Sequence, residues 1–296
     1  MSTCLRPCLG GTGVARRAGP VAGPVAGPVA GPVVGTGKRK VECSAGALMD
    51  VFRQWAQQSQ QPKKGANLCL QDVTYHPAGC EEPLLKDVNM YLGANEMGMV
   101  FGRSGSGKTT LMQVIAGLSA ANEGNVWISE ENLSKDSSSE FPPPLPASER
   151  LKHVGMVFQF PERHFVGHNI RTELTFGWPN TFMGQQDMLA RVNWALSAIG
   201  LVSFDVETPT NELSDGFKRR LALAVQLVRQ PSILLLDEPL AGLDWKARAD
   251  MVQILSNLKR ECSLLVVSHD LRELYPLVDT SWSMEAGVLN PCKPPT

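Results

Sequence analysis

The chain has 296 residues, of which 43% are hydrophobic and 19% charged, and this length allows one large domain or two small ones with an ample core. The formal net charge of −1 at pH 7 gives no whole-chain reason to expect nucleic-acid binding. No run approaches the roughly 18–20 apolar residues that span a bilayer, so a membrane role would need a partner. The seven cysteines form no CxxC pair, which favours ordinary reduced thiols.

Residues 1–65 differ from the rest of the chain. Residues 18–33 read AGPVAGPVAGPVAGPV, in which proline at every fourth position forbids a helix and the small side chains build no core. No acidic residue precedes Glu42, whereas six basic residues do: Arg6, Arg16, Arg17, Lys38, Arg39 and Lys40. A basic, acid-free N-terminus is typical of an organelle transit peptide, although serine is scarce here; a disordered cytosolic tail is the alternative.

The globular pattern begins near Leu68. Before it, ALMDVFRQWAQQSQ (47–60) has the pattern of a short amphipathic helix, and QQPKKGAN is typical of a linker. Three strand patterns follow, which are LCLQDVTY (68–75), LLKDVNMYL (84–92) and EMGMVFG (96–102). The apolar run LMQVIAGL (111–118) then predicts a helix.

The third strand leads into GRSGSGKTT (102–110), which matches the phosphate-loop pattern G-x-x-x-x-G-K-[ST] between a strand and a helix. Its glycines let successive backbone N–H groups turn inward around phosphate oxygens, and the positive end of the next helix faces the same charge. Lys108 is expected to reach the β- and γ-phosphates, Thr109 to offer its hydroxyl to Mg²⁺, and Thr110 to contact the α-phosphate. The nucleotide-binding candidates of this loop are Gly102, Ser104, Gly105, Ser106, Gly107, Lys108, Thr109 and Thr110.

A carboxylate pair follows the apolar run of PSILLLDEPLAGLD (231–244). An all-apolar strand suits the centre of a parallel sheet, and ligands gather at the carboxyl ends of such strands. Asp237 is therefore expected to hold the Mg²⁺ shell through water, and Glu238 to polarise the attacking water as a general base. The alternative is that the pair only caps the next helix.

Two more strand patterns end in polar side chains. His269 follows the apolar part of SLLVVSHD (263–270), where it would orient water or sense the γ-phosphate. Gln159 follows that of VGMVFQF (154–160), where its amide can contact both Mg²⁺ and the attacking water. A lone histidine is more often structural than catalytic, but the position of His269 directly after a central strand favours a functional role, whereas a lone glutamine would indicate little.

The order of these motifs resembles that of the ATP-binding-cassette (ABC) ATPases. The series consists of the phosphate loop, Gln159, NELSDGFKRRLALA (211–224), Asp237–Glu238, AGLD and His269. FQFPERHFVGHNIRTELTFG (158–177) is similar to the Gln loop of energy-coupling-factor and cobalt-type importer ATPases. FQFPER, LSDGFKRRLALA, DEPLAGLDWKARAD and VVSHDLREL are similar to the soluble, plastid-targeted ABC proteins of plants and algae.

The resemblance implies an α/β fold, with a phosphate-loop core around a central, mainly parallel sheet. The central strands are expected to end before residues 102, 158, 237 and 269. A flanking antiparallel β-subdomain is expected near 66–100 and 124–130, and a helical subdomain at about 160–225. Residues 66–293 would form the ABC ATP-binding domain, and residues 1–65 the disordered basic N-terminus and linker.

The resemblance gives LSDGF (213–217) the role of the family's signature loop, which reaches across a dimer to the γ-phosphate held by the partner. That role needs a hydroxyl, here Ser214, a backbone able to come close, here Gly216, and a helix N-terminus, expected at about Phe217. Asp215 and Phe217 depart from the family's Leu-Ser-Gly-Gly-Gln. Asp215 would weaken phosphate binding unless it points away or pairs with the basic triplet that follows it.

Other positions are assigned by the same resemblance. Asp244, which ends AGLD, is expected at the nucleotide. Adenine stacks in the family on an aromatic residue near the end of the first strand, for which Tyr75 is the nearest candidate, with His76 or Pro77 as alternatives. The basic triplet 218–220 is expected on a solvated helix face or in an intra-domain salt-bridge set, rather than against nucleic acid.

The surface around 160–180 receives a helix of the membrane subunit in the family. Phe160 and Phe165 would be exposed aromatics of that surface or core residues of the helical subdomain, and the sequence favours neither. The polar, proline-rich stretch 134–150 is expected to be a surface loop.

Three functions stay open at this point. The leading one is an ATPase that uses Mg²⁺ and powers a separately encoded transmembrane subunit. It would act as a homodimer or as a heterodimer with another ABC ATPase. Its expected location is the plastid stroma or envelope, with the cytoplasm as the alternative. The second is a soluble ABC ATPase that serves a protein assembly such as iron–sulfur cluster biogenesis. A phosphate-loop kinase or GTPase is disfavoured by the signature loop, by His269 and by the lack of an [NT]KxD pattern. No nucleic-acid partner is expected.

Overall fold

The computed structural model describes residues 65–80, 82–130, 143–178, 182–202, 204–269 and 272–293. The tetrapeptide repeat and the helix predicted at 47–60 lie outside these residues. The strands of the described residues are β1 (Asn67–Tyr75), β2 (Leu85–Leu92), β3 (Met97–Phe101), β4 (Glu123–Ser129), β5 (Val154–Val157), β6 (Ile233–Asp237), β7 (Ser263–Val267), β8 (Thr280–Glu285) and β9 (Val288–Cys292). Their helices are α1 (Lys108–Ala116), α2 (Ala147–Arg150), α3 (Ile170–Leu174), α4 (Phe182–Ala198), α5 (Asp215–Leu227) and α6 (Trp245–Leu258), with 3-10 turns at Pro161–His164, Thr210–Glu212 and Tyr275–Leu277.

The larger sheet has the strand order β5-β6-β7-β3-β8-β9. Neighbouring strands are parallel except β8 and β9, which are antiparallel. Every residue of β5, β6 and β7 is buried, as expected for parallel strands covered on both faces, which read as unbroken apolar runs in the sequence. The predicted central, mainly parallel sheet is therefore confirmed.

The two faces of this sheet contribute to two separate cores, because side chains alternate along a strand. Leu234 and Leu236 of β6 pack in a cluster with apolar residues of α4, α5 and α6. Ile233 and Leu235 of the same strand pack in a second cluster with α1 and the strands of the smaller sheet. The larger sheet is thus the middle layer of the described fold.

The smaller sheet has the order β2-β1-β4 and is antiparallel throughout. β1 and β2 pair from Leu68 with Leu92 to Tyr75 with Leu85, through register shifts along the way. The flanking antiparallel sheet predicted by the resemblance is therefore present.

Two details differ from the sequence expectations. α5 begins at Asp215, with Ser214 as its N-cap, rather than at about Phe217. The stretch expected to be a loop as far as residue 150 ends in α2, which buries Arg150, while residues 131–142 lie outside the described residues. Across the described ranges, no helix has the length and apolar character needed to cross a bilayer.

Candidate functional site

A cavity of about 740 Å³ opens where β3, β5, β6 and β7 end. Because the carboxyl ends of parallel strands meet at one edge of a sheet, residues distant in sequence come together here. The phosphate-loop residues in its lining are Gly102, Arg103, Ser104, Gly105, Gly107, Lys108, Thr109 and Thr110. The strand-end residues in its lining are Gln159, Asp237, Glu238 and His269. All four strand-end residues singled out in the sequence therefore lie at one site.

The loop between β3 and α1 has the shape of an anion cradle. Gly107 is the N-cap of α1 and has a φ of 106°, a left-handed value that strains any residue with a side chain. The Lys108 ammonium donates hydrogen bonds to the carbonyl oxygens of Gly102 at 2.9 Å and Arg103 at 2.7 Å. A cation thus lies beside the backbone of this loop at a helix N-terminus, where phosphate oxygens bind favourably.

Thr109 and Asp237 form the pair that fits a divalent cation. The Thr109 hydroxyl donates to Asp237 Oδ2 at 3.0 Å, which joins the loop to the end of β6. Burial raises the pKa of Asp237, and the charge of Glu238 acts in the same direction, while the Thr109 hydrogen bond and Lys108 oppose the shift. Hydroxyl and carboxylate oxygens are the ligands that Mg²⁺ prefers. Since the described residues hold no cluster of three or more His, Cys, Asp or Glu that could bind a metal, phosphate oxygens and water would have to complete the shell.

Glu238 is buried and held by three groups at the end of β7. Its Oε2 accepts a hydrogen bond from the Ser268 hydroxyl at 2.9 Å, and its Oε1 accepts one from the His269 backbone N–H at 3.0 Å. The same Oε1 lies 2.5 Å from His269 Nδ1. Its backbone is left-handed, with a φ of 49°, which is unusual for a residue with a side chain and common at functional sites.

Asp244 supplies the helix cap that was the alternative role for Asp237 and Glu238. Its side chain accepts a hydrogen bond from the Ala247 N–H at 2.8 Å and thereby caps α6. Asp244 is exposed and lies outside the described lining of the cavity, so its expected contact with a nucleotide stays a prediction. The cap of α6 is therefore made by Asp244, and not by the carboxylates of Asp237 and Glu238, which line the cavity.

The signature residues lie apart from the cavity on the exposed start of α5. Ser214 is exposed, and among the described residues its hydroxyl takes no part in capping α5. Gly216 approaches α6 so closely that a Cβ at this position would lie 3.1 Å from the Ala247 Cβ. The side chain of Asp215 is 85% exposed and only 3.8 Å from the Lys218 ammonium, so it points away from the core and pairs loosely.

Phe217, the second departure from the family's signature, faces the protein interior. Its ring lies 4.5 Å from that of Phe204 and packs against the core under the helices. The ring therefore replaces an amide without occupying the exposed surface beside Ser214 and Gly216. Both departures leave the hydroxyl and the close-approach glycine in place.

The three candidates for stacking on adenine are not in the described lining of the cavity. Tyr75 is half-buried and packs against the core beneath the smaller sheet, His76 donates its N–H to Asn122 Oδ1 at 2.7 Å, and Pro77 is half-buried. Leu84 does line the cavity, and its N–H donates to the Tyr75 carbonyl at 2.8 Å. The end of β1 thus reaches the cavity through Leu84, which the sequence alone did not indicate.

Ser106 is the phosphate-loop candidate that faces away from this cavity. It is buried and lines a neighbouring cavity of about 490 Å³, with Met284 and Glu285 of β8 on the other side. Its hydroxyl lies 3.5 Å from the Lys108 ammonium, so it contacts the lysine from behind the loop.

Residues of the Gln159 segment and of the basic triplet divide between core and surface. Phe160 is 44% exposed and lies under the Arg163 guanidinium at 4.6 Å, so it is an exposed aromatic of this surface. Phe165 packs against the core, which was the other alternative for these two residues.

In the basic triplet 218–220, Arg220 pairs with Asp250 of α6, as an intra-domain salt bridge. Arg219 is buried and bonds to loop carbonyls, which neither expectation for the triplet anticipated.

Comparisons with known sequences point in one direction. The profile of the ABC transporter family matches residues 85–241, more than half of the chain. The chain is 47% identical over 230 residues to ABC transporter I family member 11, chloroplastic, of Arabidopsis thaliana, covering 76% of this chain and 81% of that protein. It is 32% identical over 216 residues to the energy-coupling factor transporter ATP-binding protein EcfA2 of Acetivibrio thermocellus, covering 72% of this chain and 74% of that protein.

Solved structures give the same result for the fold. CbiO1 of Clostridium perfringens, part of the ABC transporter complex CbiONQ, superposes with a TM-score of 0.64 at 25% identity, over 75% of this chain and 86% of that chain. A dimeric ATP-binding cassette in a post-hydrolysis state, bound to ADP and Pi, superposes with a TM-score of 0.61 at 25% identity, over 77% of this chain and 99% of that chain. Motif order, fold and similarity therefore agree.

Proposed function

The chain belongs to the ABC transporter family and is an ATP-hydrolysing enzyme, and from this premise we propose that it powers a membrane transporter whose spanning subunit is a separate chain. Two of its relatives carry transporter ATP-binding names or belong to a transporter complex, which supports this role at the family level. The nucleotide is sandwiched between two ATPase chains in the proposed working state.

ATP hydrolysis is assigned to the residues that meet in the 740 Å³ cavity. Lys108 leaves its two loop carbonyls for the β- and γ-phosphates, and Glu238 takes a proton from the water that attacks the γ-phosphorus. Gln159 and His269 orient that water and the γ-phosphate, since both line the cavity. Mg²⁺, when bound, neutralises charge on the β- and γ-oxygens, and Thr109 and Asp237 would hold it, the latter through water.

A dimer is supported by where the signature residues lie. Ser214 is exposed and outside the described lining of the cavity in its own chain, so it reaches a γ-phosphate only if that phosphate is held by another chain. The positive N-terminus of α5 and the exposed Ser214 beside it suit an anion presented from outside. The second chain is either a copy of this one or another ABC ATPase.

The observation that favours a membrane partner is the exposed apolar segment beside Gln159. Phe160 is 44% exposed and directly follows Gln159, which lines the cavity, and Val166, seven positions after Gln159, is 61% exposed. Exposed apolar groups next to a catalytic loop favour a partner that covers them and senses the site. A helix of the membrane subunit is the proposed occupant.

Affinity purification tests this proposal. The tagged chain is expected to co-purify with a polytopic membrane protein, and a Phe160→Asp/Val166→Asp variant is expected to lose that protein while it still hydrolyses ATP. Leu189→Asp, at another exposed apolar position that is 53% exposed on α4, serves as the matched control and should retain it. Recovery of soluble assembly proteins without a membrane protein would instead support the role in a protein assembly.

Plastid location is proposed from the basic N-terminus and from the chloroplastic name of the Arabidopsis relative. The stroma or the stromal side of the envelope is the proposed site, with the chain divided into residues 1–65, which comprise the removable segment and a linker, and the ATP-binding domain at 66–293.

Import is expected to remove the N-terminus up to a residue between 40 and 60, because the acid-free basic segment has the charge pattern of a transit peptide. Mass spectrometry of the mature protein gives its first residue, and a fluorescent fusion gives its compartment. A mature protein that still begins near Met1, together with a cytosolic fusion signal, would contradict this prediction. Changing Arg16 and Arg17 to Glu should block import if the charge pattern is what is read.

A further inference from the structure

Arg219 connects the signature helix with two loops of the ATP site. It lies one turn into α5, and only 6% of the residue is exposed. Its Nη1 donates to the Gln159 carbonyl oxygen, and its Nη2 donates to the Ala241 carbonyl oxygen at 2.9 Å. We propose that Arg219 is a positioning residue for ATP hydrolysis, which sets the backbone of Gln159 and the turn after Glu238 relative to the signature helix.

Both acceptors lead directly to the cavity. Gln159 lines the cavity itself, so a shift of its backbone moves the side-chain amide. The Ala241 N–H donates to the Glu238 carbonyl at 3.1 Å and closes the turn that begins at the proposed general base. One guanidinium thus fixes two walls of the site through main-chain oxygens, without contact with the nucleotide.

The chemistry of this position favours a positioning role over simple packing. Burial lowers the pKa of Arg219, which means that the protein disfavours the charged form, while Glu162 and Asp215 partly oppose this shift. Arginine nevertheless stays protonated in proteins. Replacing a buried ion pair by well-packed apolar side chains of similar volume is often neutral or stabilising, so burial of a charge is by itself weak evidence for a role in stability. The burial of a cation that bonds carbonyls of two different loops is therefore better explained by the geometry that it imposes than by a contribution to stability. The planar guanidinium of arginine can bond both carbonyls at once, which the point charge of lysine does less well.

The same link joins the dimer-facing and cavity-facing parts of the chain. Arg219 follows Ser214 and Gly216 on α5, whereas its acceptors lie at the ends of β5 and after β6. A displacement of α5 on contact with a second chain would therefore be passed to Gln159 and Glu238 by hydrogen bonds already in place. The inference rests on the proposed use of those two residues in hydrolysis.

Arg220 is a matched control on the next position of the same helix. Its guanidinium pairs with Asp250 of α6 and lies 5.4 Å over the Phe217 ring, so it ties helices together without reaching the cavity loops. Arg219→Met and Arg220→Met remove the same group from adjacent positions. Arg219→Lys restores charge and one donor group at the tested site.

The experiment measures steady-state ATP hydrolysis and thermal unfolding for the three variants in the full chain. Arg219→Met is expected to lower kcat by about 10–10²-fold with the KM for ATP little changed, because the phosphate loop is untouched. Arg219→Lys should recover part of the loss, and Arg220→Met should keep a kcat close to that of the unchanged chain. An unchanged kcat in Arg219→Met, or an equal loss in Arg220→Met, would overturn the inference.

Amide hydrogen exchange provides a readout that does not depend on activity. Arg219→Met is expected to speed exchange around Gln159 and at 238–243, while the amides at 105–110 keep the rates of the unchanged chain. Exchange that rises uniformly across the fold would indicate a structural role only and would also overturn the inference. If Arg219→Met showed the expected local exchange effects but the unchanged chain did not hydrolyse ATP, the proposed function would fail while the structural coupling stood.

Discussion

Replacing Lys108 with alanine is expected to reduce ATP hydrolysis by on the order of 10²–10³-fold or more, the cost of losing one preorganised donor aimed at developing charge. The ammonium lies 2.9 and 2.7 Å from two carbonyls of the phosphate loop, within reach of phosphates that enter the cradle. Its loss removes the side-chain cation that is assigned to the β- and γ-phosphates in the proposed reaction. Steady-state phosphate release and Mg-ATP binding by calorimetry measure the effect.

Lys152→Ala is the control for this prediction. Lys152 is an exposed lysine whose ammonium pairs with Glu149 at 2.7 Å on the surface, far from the strand ends that form the site. Its activity should match that of the unchanged chain. Thermal unfolding distinguishes loss of function from loss of fold, because Lys108 also bonds the loop in the absence of nucleotide. Normal ATP turnover by a folded Lys108→Ala variant would refute the assignment of the cavity.

The parts of the site that sequence reasoning predicted share one physical origin. Asp237, His269 and Gln159 each follow a strand that is buried on both faces, and such strands are legible as apolar runs. Parallel strands bring their carboxyl ends to one edge, so a polar residue after each run was enough to predict that these side chains meet. The phosphate loop was predictable for a different reason, because its function depends on backbone geometry that glycine at fixed positions provides.

Other features needed the tertiary pairing of segments. Leu84 reaches the cavity only because β1 and β2 pair with Tyr75 opposite Leu85. The register of these two strands shifts at two irregularities, which the sequence does not predict. The sequence placed Arg219 on a solvated helix face or in a salt-bridge set. Its actual hydrogen-bond acceptors could not be predicted, because they are carbonyl groups of loops 60 and 22 residues away. The inward orientation of Phe217 likewise depends on a tertiary contact, because its ring packs 4.5 Å from that of Phe204. Strands β8 and β9 carry too few apolar residues in a regular pattern to be predicted alone.

Glu238→Gln is expected to trap ATP and stabilise a dimer. Thr109, Asp237 and the phosphate loop contact the nucleotide site without Glu238, so binding should persist, whereas loss of a general base slows hydrolysis by about 10²–10⁴-fold. The amide oxygen can still accept from the His269 backbone N–H, and the amide NH2 can donate to the Ser268 hydroxyl oxygen, so the end of β7 should hold its shape. With hydrolysis slow, ATP stays bound between two chains and must stabilise the dimer that binds it, by linkage. Light scattering after size exclusion should then show about twice the 32.1 kDa of the chain, only with Mg-ATP.

Ser214→Ala in the Glu238→Gln background tests whether the signature loop makes that dimer. Ser214 is exposed and lies outside the described lining of its own cavity, so its removal should weaken the dimer while ATP binding to the monomer stays nearly unchanged. Ser197→Ala, at an exposed position of α4, is the matched control and should leave the dimer intact. Phe217 packs inward, so its ring leaves the surface beside Ser214 open, whereas the 85% exposed side chain of Asp215 adds a carboxylate there, and the dimer forms only if this charge does not oppose the partner's phosphates. A Glu238→Gln protein that stays monomeric under saturating Mg-ATP would contradict the homodimer and require a different cassette to complete the site.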